Sequence, residues 1–330
     1  MPSTPTMPAP PVKTGIDISR VLHQPLLGPF GALILAVIIF AVASPRFLSP
    51  FNVSLILQQS IVVGILAVGQ TLIILTAGID LSIGANAVLG TIMLAKTVAS
   101  GGPVLALIAT LLICMAVGAV NGTLVTVFKL PPFIVTLGTY TAVSAATQLF
   151  AGSTTYPVQP GVLTFLGTSI GSGTMRTTLG VIVLILVYAV TWYALTQTAG
   201  GQHIYAVGGS PTAARLAGIK TNRTLFSAYI LTGLIAAIAA WAALGRIPTA
   251  DPNAFQTANL DTITAVVIGG TSLFGGRGSV IGTLIGTLIV GVLRNGLTLV
   301  GVDNLYQNIA TGVLVIVAVA FDQFARRRSS

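Results

Sequence analysis

Few side chains in this 330-residue chain could do catalytic or metal chemistry. It has one cysteine, two histidines and six acidic residues, all of them aspartate. Cys114 lies inside the apolar run 111–117, so neither a disulfide framework nor a metal cluster is predicted. No nucleophile stands beside a candidate base. We therefore predict a protein that is not an enzyme and that has no metal or cofactor site.

Asp80 is the acidic residue that the sequence singles out, because apolar residues flank it on both sides. A carboxylate at membrane depth usually marks function. Asp80 also precedes Leu81, where a helix is predicted to begin, and a carboxylate there can accept hydrogen bonds from free backbone N–H groups. The sequence favours this capping role. It leaves open a gating or substrate role. It also leaves open a combination of the two, in which Asp80 near the inner face pairs with Arg215 or Arg277 in one conformational state.

Neutral hydrogen-bonding side chains recur within or at the ends of the apolar stretches. Burying such groups is costly unless they find partners, so each one either bonds a neighbouring helix or lines a polar path. The sequence leaves both roles open. The candidates for a path are Gln70, Asn86, Asn121, Thr136, Tyr140, Gln148, Asn295 and Gln307.

The elements that position these residues must be solvated by lipid. Only 6% of the residues are charged and 54% are hydrophobic, whereas soluble domains carry about 25% charged residues. The basic residues are scattered between apolar runs and do not cluster on one face, so nucleic acid is set aside as a partner. We predict a bilayer-embedded protein.

Apolar runs of about 20 residues, the length that crosses a bilayer, predict an all-α polytopic membrane protein of about ten transmembrane helices. The eighth run is short and bounded by glycine, which favours a half-crossing or re-entrant element. The predicted spans are 27–44, 54–77, 81–99, 103–128, 132–150, 179–198, 224–245, 260–274, 279–300 and 304–322.

The distribution of basic residues predicts the orientation, because cytoplasmic loops carry the excess of Lys and Arg. With a cytoplasmic N-terminus, the inner side receives ten of the 15 basic residues. An odd number of spans would strand the basic tail or the loop near Arg215 outside. Both termini are therefore predicted to be cytoplasmic, with 1–26 a disordered tail, 27–325 the transmembrane domain and 326–330 a basic tail.

Two short stretches indicate an internal repeat. Residues 118–124 and 282–288 share Gly, Gly, Thr and Leu at the same offsets, about half the chain apart. The first lies in a span that runs inward and the second in one that runs outward, as in the inverted repeats of many transporters. Gly278, Gly282 and Gly286 also predict a small-residue face that lets helices approach closely.

The longest polar interval on the predicted inner side, 198–224, contains a short capped helix. Ser210 suits the N-cap, Pro211 the first helical position and Gly218 the left-handed end. Two turns are marginal alone, so either this protein's membrane face or a partner must hold the helix. Spacing alone leaves a connector and a docking element equally open.

Four stretches resemble, in the same order, recurrent segments of monosaccharide ABC importer permeases of the ribose, xylose and fructose type. They are LTAGIDLSIG at 75–84, LPPFIVTLG at 130–138, GQHIYAVGGSPTAARLAGI at 201–219 and ITAVVIGGTSLFGGRGS at 263–279. The resemblance covers about residues 27–325. It implies a multi-pass permease of the bacterial inner membrane, which pairs with a second copy, a cytosolic ABC ATPase and a periplasmic sugar-binding protein to import a sugar.

The resemblance also implies a role for the short cytosolic helix, as the coupling helix that seats in the ATPase. Its residues are Ser210, Pro211, Thr212, Ala213, Ala214, Arg215, Leu216, Ala217 and Gly218. The chain has no Gly-x-x-x-x-Gly-Lys-Ser/Thr phosphate loop, which agrees with ATP hydrolysis on partner subunits.

The cargo stays open between several classes. Ribose and fructose lead, but related ABC permeases carry nucleosides or branched-chain amino acids. A proton-coupled secondary carrier is a different class, and it would need an intramembrane carboxylate, for which Asp80 is the candidate.

Overall fold

The computed structural model describes residues 26–171 and 176–327, and its dominant element is the α-helix. Six helices are long and apolar enough to cross a bilayer, which confirms the all-α polytopic class; the count of ten spans and the side of each terminus stay predictions. The α-helices of the described residues are α1 Leu27–Ala43, α2 Pro50–Leu75, α3 Ile83–Thr126, α4 Pro132–Ala151, α5 Leu179–Gln197, α6 Ala199–Gly209, α7 Pro211–Leu216, α8 Thr221–Arg246, α9 Ala258–Ile268, α10 Val280–Leu299 and α11 Asn304–Arg327.

The 44-residue helix α3 is two helices joined at a kink. Gly102 has φ 75° and ψ 175°, a conformation that glycine adopts readily, and Pro103 follows it. A proline inside a helix also removes a backbone donor. The predicted spans 81–99 and 103–128 therefore correspond to the two halves of α3.

Helix α9 is too short to cross a bilayer. Its 11 residues rise about 16 Å, roughly half of the hydrocarbon core, as expected for a half-crossing element. The predicted range 260–274 was wrong at its C-terminal end. Gly270, Gly275 and Gly276 have φ of 87°, 82° and 71°, so 269–279 forms an irregular loop.

Four two-residue strands lie at the end of the bundle that is predicted to face outward. Tyr156–Pro157 (β1) pairs antiparallel with Thr249–Ala250 (β4), and Ser169–Ile170 (β2) pairs with Thr177–Thr178 (β3). The β1–β4 pair ties the α4–α5 connection to the end of α8. The sequence does not predict these strands, because two residues show no alternating pattern.

Helix α2 forms the centre of the bundle, in contact with α8, α10, α9 and α5. Residues 65–68 of α2 are fully buried. Glycines bring its neighbours close to one another. A Cβ on Gly118 of α3 would overlap the Tyr229 carbonyl of α8, and one on Gly233 of α8 would overlap the Cys114 carbonyl.

The predicted small-residue face of α10 is confirmed at two of its three glycines. Gly282 packs on the Gly269 carbonyl and Gly286 on the Ala265 carbonyl, so α9 and α10 approach at backbone distance. Gly278 instead lies in the loop before α10, against Thr271. The predicted tails 1–26 and 326–330 fall outside the described residues, except for Leu26 and the last two residues of α11.

Candidate functional site

Two polar cavities flank the segment 252–257, which leads from β4 to α9. The first, here called the α3–α4 cavity, has a volume of about 410 Å³, within the usual range of small-molecule sites. Tyr140 and Gln148 line it, and Gln148 Nε2 donates to Asn253 Oδ1 at 2.8 Å. Two of the predicted path residues thus face one polar space, and one of them is bonded to the segment itself.

The second cavity, here called the α2–α10 cavity, has a volume of about 420 Å³ and an ion pair on its wall. Arg294 Nη2 lies 2.7 Å from Asp261 Oδ1. It also donates to Thr257 Oγ1 at 2.9 Å, and Thr257 Oγ1 donates to Asp261 Oδ2 at 3.1 Å. The Asp261 side chain is 2% exposed and that of Arg294 is 32% exposed, so Arg294 is the accessible member of the pair.

The two cavities share part of their walls. Asn253, Phe255, Gln256 and Thr257 line both, so this segment forms a partition between them. Irregular backbone at membrane depth is tolerated where it lines a cavity, and here it has a cavity on each side.

Asp80 lies in the turn between α2 and α3 and is 3% exposed. Its Oδ1 accepts from the Ser82 backbone N–H at 2.7 Å and from Ser82 Oγ at 2.6 Å, just before the first residue of α3. Within the described chain, neither Arg215 nor Arg277 forms an ion pair with it. These bonds form an Asx turn ahead of Ser82, which is the N-cap residue of α3, so the capping role of Asp80 stays a prediction.

The Asp80 turn is connected to two further helices. Asn121 Nδ2 donates to Ser82 Oγ at 2.9 Å, and Thr139 Oγ1 donates to Asn121 Oδ1 at 2.6 Å. Thr136 Oγ1 donates to the Ile79 carbonyl at 2.9 Å. Two of the predicted path residues, Asn121 and Thr136, therefore bind this turn to α3 and α4.

The remaining predicted path residues lie apart from both cavities. Asn86 Nδ2 donates to the Cys114 carbonyl at 3.1 Å and so joins the two halves of α3. Gln307 Nε2 donates to Thr298 Oγ1 and to the Val302 carbonyl, and Asn295 pairs with Asn52. Gln70 is fully buried, and neither polar atom of its amide has a hydrogen-bond partner among the described residues.

The predicted cytosolic interval contains two helices, α6 and α7, and ends in the first turn of α8. Helix α6 packs firmly on the bundle. The Gly276 N–H donates to the Leu75 carbonyl at 2.9 Å, and a Cβ on Gly208 would overlap that same carbonyl. Tyr205 Oη donates to the Gly278 carbonyl at 3.1 Å. Burial raises the pKa of the Tyr205 phenol, which keeps it protonated as a donor.

Helix α7 has the caps that the sequence predicted. Ser210 Oγ accepts from the Ala213 N–H at 3.2 Å, and Gly218 has φ 83°. The Ile219 N–H donates to the Ala214 carbonyl, and Arg215 Nε donates to Thr221 Oγ1 at 3.3 Å. Ala214 is the buried side chain of this six-residue helix, whereas Leu216 is 86% exposed.

Asp261 and Arg294 are the residues that the sequence analysis missed. Neither residue was assigned a role from the sequence. A signal was present, because Asp261 falls within the predicted span 260–274 and Arg294 within 279–300. Opposite charges in two consecutive spans predict a pair, since neither charge is tolerated alone in a membrane.

Comparison with known proteins identifies the family. Residues 52–319 match the family described as branched-chain amino acid transport system, permease component. The chain belongs to this permease family. It is 46% identical to the fructose import permease protein of Rhizobium meliloti, over 94% of this chain and 89% of that protein.

Two further permease relatives cover nearly as much of the chain. The ribose import permease protein of Bacillus subtilis is 41% identical over 90% of this chain and 92% of its own length. The D-allose transport system permease protein of Escherichia coli K12 is 35% identical over 90% and 91%. No solved structure matches the chain. These relatives confirm the resemblance to monosaccharide importer permeases.

Membership in the permease family defines the class and location of the protein. Together with six or more long apolar helices, it makes this permease a multi-pass protein of the bacterial inner membrane. A permease component is a transport subunit, in agreement with the prediction that the chain is not an enzyme.

Proposed function

We propose that this permease is the membrane-spanning subunit of an ABC importer that carries a monosaccharide of the fructose or ribose class inward. The 46% identity to a fructose import permease over nearly the whole chain carries this proposal. The α3–α4 cavity supports it. Every residue that lines this cavity is uncharged, and the amide, hydroxyl and phenol groups of Gln148, Thr147 and Tyr140 suit the hydroxyls of a sugar.

The energy for import comes from a partner ATPase, and α7 is the helix that contacts it. A leucine as exposed as Leu216 on a polar loop is expected where another protein covers it. Helix α7 follows directly on α6, which packs against the C-terminal end of α2 and the loop 269–279. A displacement of α7 by the ATPase would therefore reach the helices beside both cavities as a rigid-body movement.

A second copy of the permease completes the path in this proposal. Phe133, Ile134 and Leu137 expose apolar surface on α4, the helix that also supplies Tyr140 and Gln148 to the α3–α4 cavity. A second α4 packed there would enclose the cavity. With ten spans and both termini in the cytoplasm, the β1–β4 end faces the periplasm, where a sugar-binding protein delivers its cargo.

Branched-chain amino acids are the second candidate cargo, because the family description names them. An amino acid carries an ammonium and a carboxylate, which need charged or strongly polar partners when they leave water. The lining of the α3–α4 cavity is uncharged and offers no charged partner to either group. It therefore favours a neutral sugar as the cargo.

Reconstituted uptake tests this proposal. The permease is placed in proteoliposomes with its ATPase, ATP inside, and the binding protein outside, and labelled fructose, ribose, a nucleoside and leucine are compared. We expect uptake of one or both sugars, dependent on ATP and on the binding protein. A matched preparation with an ATPase defective in hydrolysis serves as the control. Uptake of leucine or the nucleoside alone, or uptake by the permease alone on a proton gradient, would contradict the proposal.

A further inference from the structure

The α2–α10 cavity contains polar groups suited to a sugar, most of them on residues that do not line the α3–α4 cavity. We propose that it is a second binding site for the transported sugar, in which Arg294 donates to a sugar hydroxyl through Nη1 and Asp261 is its positioning residue. This inference rests on the proposed function and names a site within it.

The wall of the α2–α10 cavity is rich in carboxamide side chains. A carboxamide both donates and accepts hydrogen bonds, as a sugar hydroxyl does. It can therefore pair with a hydroxyl that acts as a donor or as an acceptor. The volume of about 420 Å³ is that of a small-molecule site. The carboxamides on the wall are Gln59, Asn253, Gln256, Asn304 and Asn308.

Arg294 has hydrogen-bond donors to spare. A guanidinium carries five N–H groups in one plane, and the described acceptors, Asp261 and Thr257, both bind Nη2. Nε is buried, so the N–H groups of Nη1 are the donors left for a ligand. Nη1 can donate to a hydroxyl oxygen of the sugar, and the exposed third of the Arg294 side chain lies on the cavity wall.

Asp261 determines the direction in which the free Nη1 of Arg294 points. It contacts Arg294 directly and again through Thr257, so the guanidinium plane is held at two points. Asp261 is nearly inaccessible and would not touch the sugar. It also neutralises the charge of Arg294.

The position of the cavity agrees with an entry site. Arg246 and Thr298 lie near the ends of α8 and α10, and Asn304 begins α11, all at the predicted outer end. The partition 253–257 separates this cavity from the α3–α4 cavity. A sugar delivered from outside would bind at Arg294 first and pass the partition afterwards.

Ligand-observed saturation-transfer NMR on the full-length permease in lipid nanodiscs tests the site with fructose and ribose as probes. We expect Arg294→Gln to weaken sugar binding about tenfold or more, the loss of about 1.4 kcal/mol or more, while Arg46→Gln, at an exposed arginine away from the cavity, leaves it unchanged. Gln59→Leu keeps the ion pair and removes one amide, and we expect it to weaken binding severalfold.

Uptake kinetics separate positioning from folding at Asp261. Asp261→Asn is expected to raise the KM for sugar with little change in the maximal rate per folded transporter, and Asp261→Glu to restore the KM in part. Equal binding by wild type, Arg294→Gln and Gln59→Leu would overturn the site. So would a sugar acid that binds at Arg294 and is not displaced by fructose or ribose, because the cavity would then be an anion site. If wild type imports no monosaccharide, the proposed function itself fails.

Discussion

Asn52 and Asn295 exchange two amide hydrogen bonds between α2 and α10. Nδ2 of Asn52 donates to Oδ1 of Asn295 at 2.8 Å, and Nδ2 of Asn295 donates to Oδ1 of Asn52 at 3.0 Å. Both residues are less than 5% exposed. The sequence left Asn295 open between a path and helix contact, and this reciprocal pair favours contact.

Asn295→Ala should therefore reduce stability and leave the transport mechanism intact. The change leaves the Oδ1 of Asn52 buried without its partner, which costs about 1–3 kcal/mol. Unfolding of the permease by SDS titration measures the loss. Thr141→Ala, which removes an exposed hydroxyl on α4, is the control. If the two variants lose the same stability, the amide pair contributes nothing.

Gly118 and Gly138 offer a matched pair of glycine-to-alanine changes in helices. A Cβ on Gly118 would overlap the Tyr229 carbonyl, whereas nothing lies within 4 Å of a Cβ on Gly138. We expect Gly118→Ala to destabilise the protein by about 1–3 kcal/mol and Gly138→Ala to stabilise it by about 0.5–1 kcal/mol. Thermal unfolding in detergent checks both signs, and a neutral Gly118→Ala would refute the close approach of α3 and α8.

Asp80→Asn should lower folded yield and uptake in parallel. The carboxylate accepts two hydrogen bonds from Ser82, and an uncharged amide accepts them less strongly, at a cost of about 1 kcal/mol, because hydrogen bonds to charged groups are the stronger ones. Size-exclusion yield and uptake per folded molecule are the two measurements. Uptake per folded molecule that falls sharply, with normal yield, would instead support the gating role or the proton-coupled carrier.

Gln70→Leu is expected to separate stability from transport. The amide of Gln70 is fully buried without a partner in the described structure, so an apolar replacement of similar size should raise stability by about 1–3 kcal/mol. We nevertheless expect uptake to fall. A buried amide without a partner in one conformation is expected to find one in another conformation of the transport cycle. Unchanged uptake in the stabilised variant would exclude such a role.

Leu216→Asp should abolish binding of the ATPase without unfolding the permease. The side chain is 86% exposed, so the free permease loses no packing, while a charge at the contact must be desolvated. Co-purification of the ATPase and ATP-driven uptake are the readouts. Gln202→Asp puts the same charge on an exposed position of α6 and should have no effect on ATPase binding. If it weakens binding as much as Leu216→Asp does, the effect comes from the charge of the loop and α7 is not the contact.

The long helices and the caps of α7 were predictable, because each rests on local signals: apolar length, Pro103 after Gly102, Ser210 before Pro211. The pairing of Asp261 with Arg294 and the union of Tyr140 and Gln148 at one cavity depend on which helices become neighbours. Because the apolar spans have similar compositions, the local sequence of a span does not indicate which other spans it will pack against. The two-residue strands were missed for the same reason, since they exist only through their partners.

The Leu75 carbonyl finds its partners only after much more of the chain has been synthesised. Its donor is the N–H of Gly276, and Gly208 must lie against the same oxygen, so the end of α2 stays incomplete until the ribosome has made about 200 further residues. Contacts between residues so far apart in sequence form slowly. Until they form, the incomplete chain exposes surface that the folded protein buries. A truncated chain that ends before residue 276 should be inserted normally and then be degraded, because it would lack the segment that covers the C-terminal end of α2.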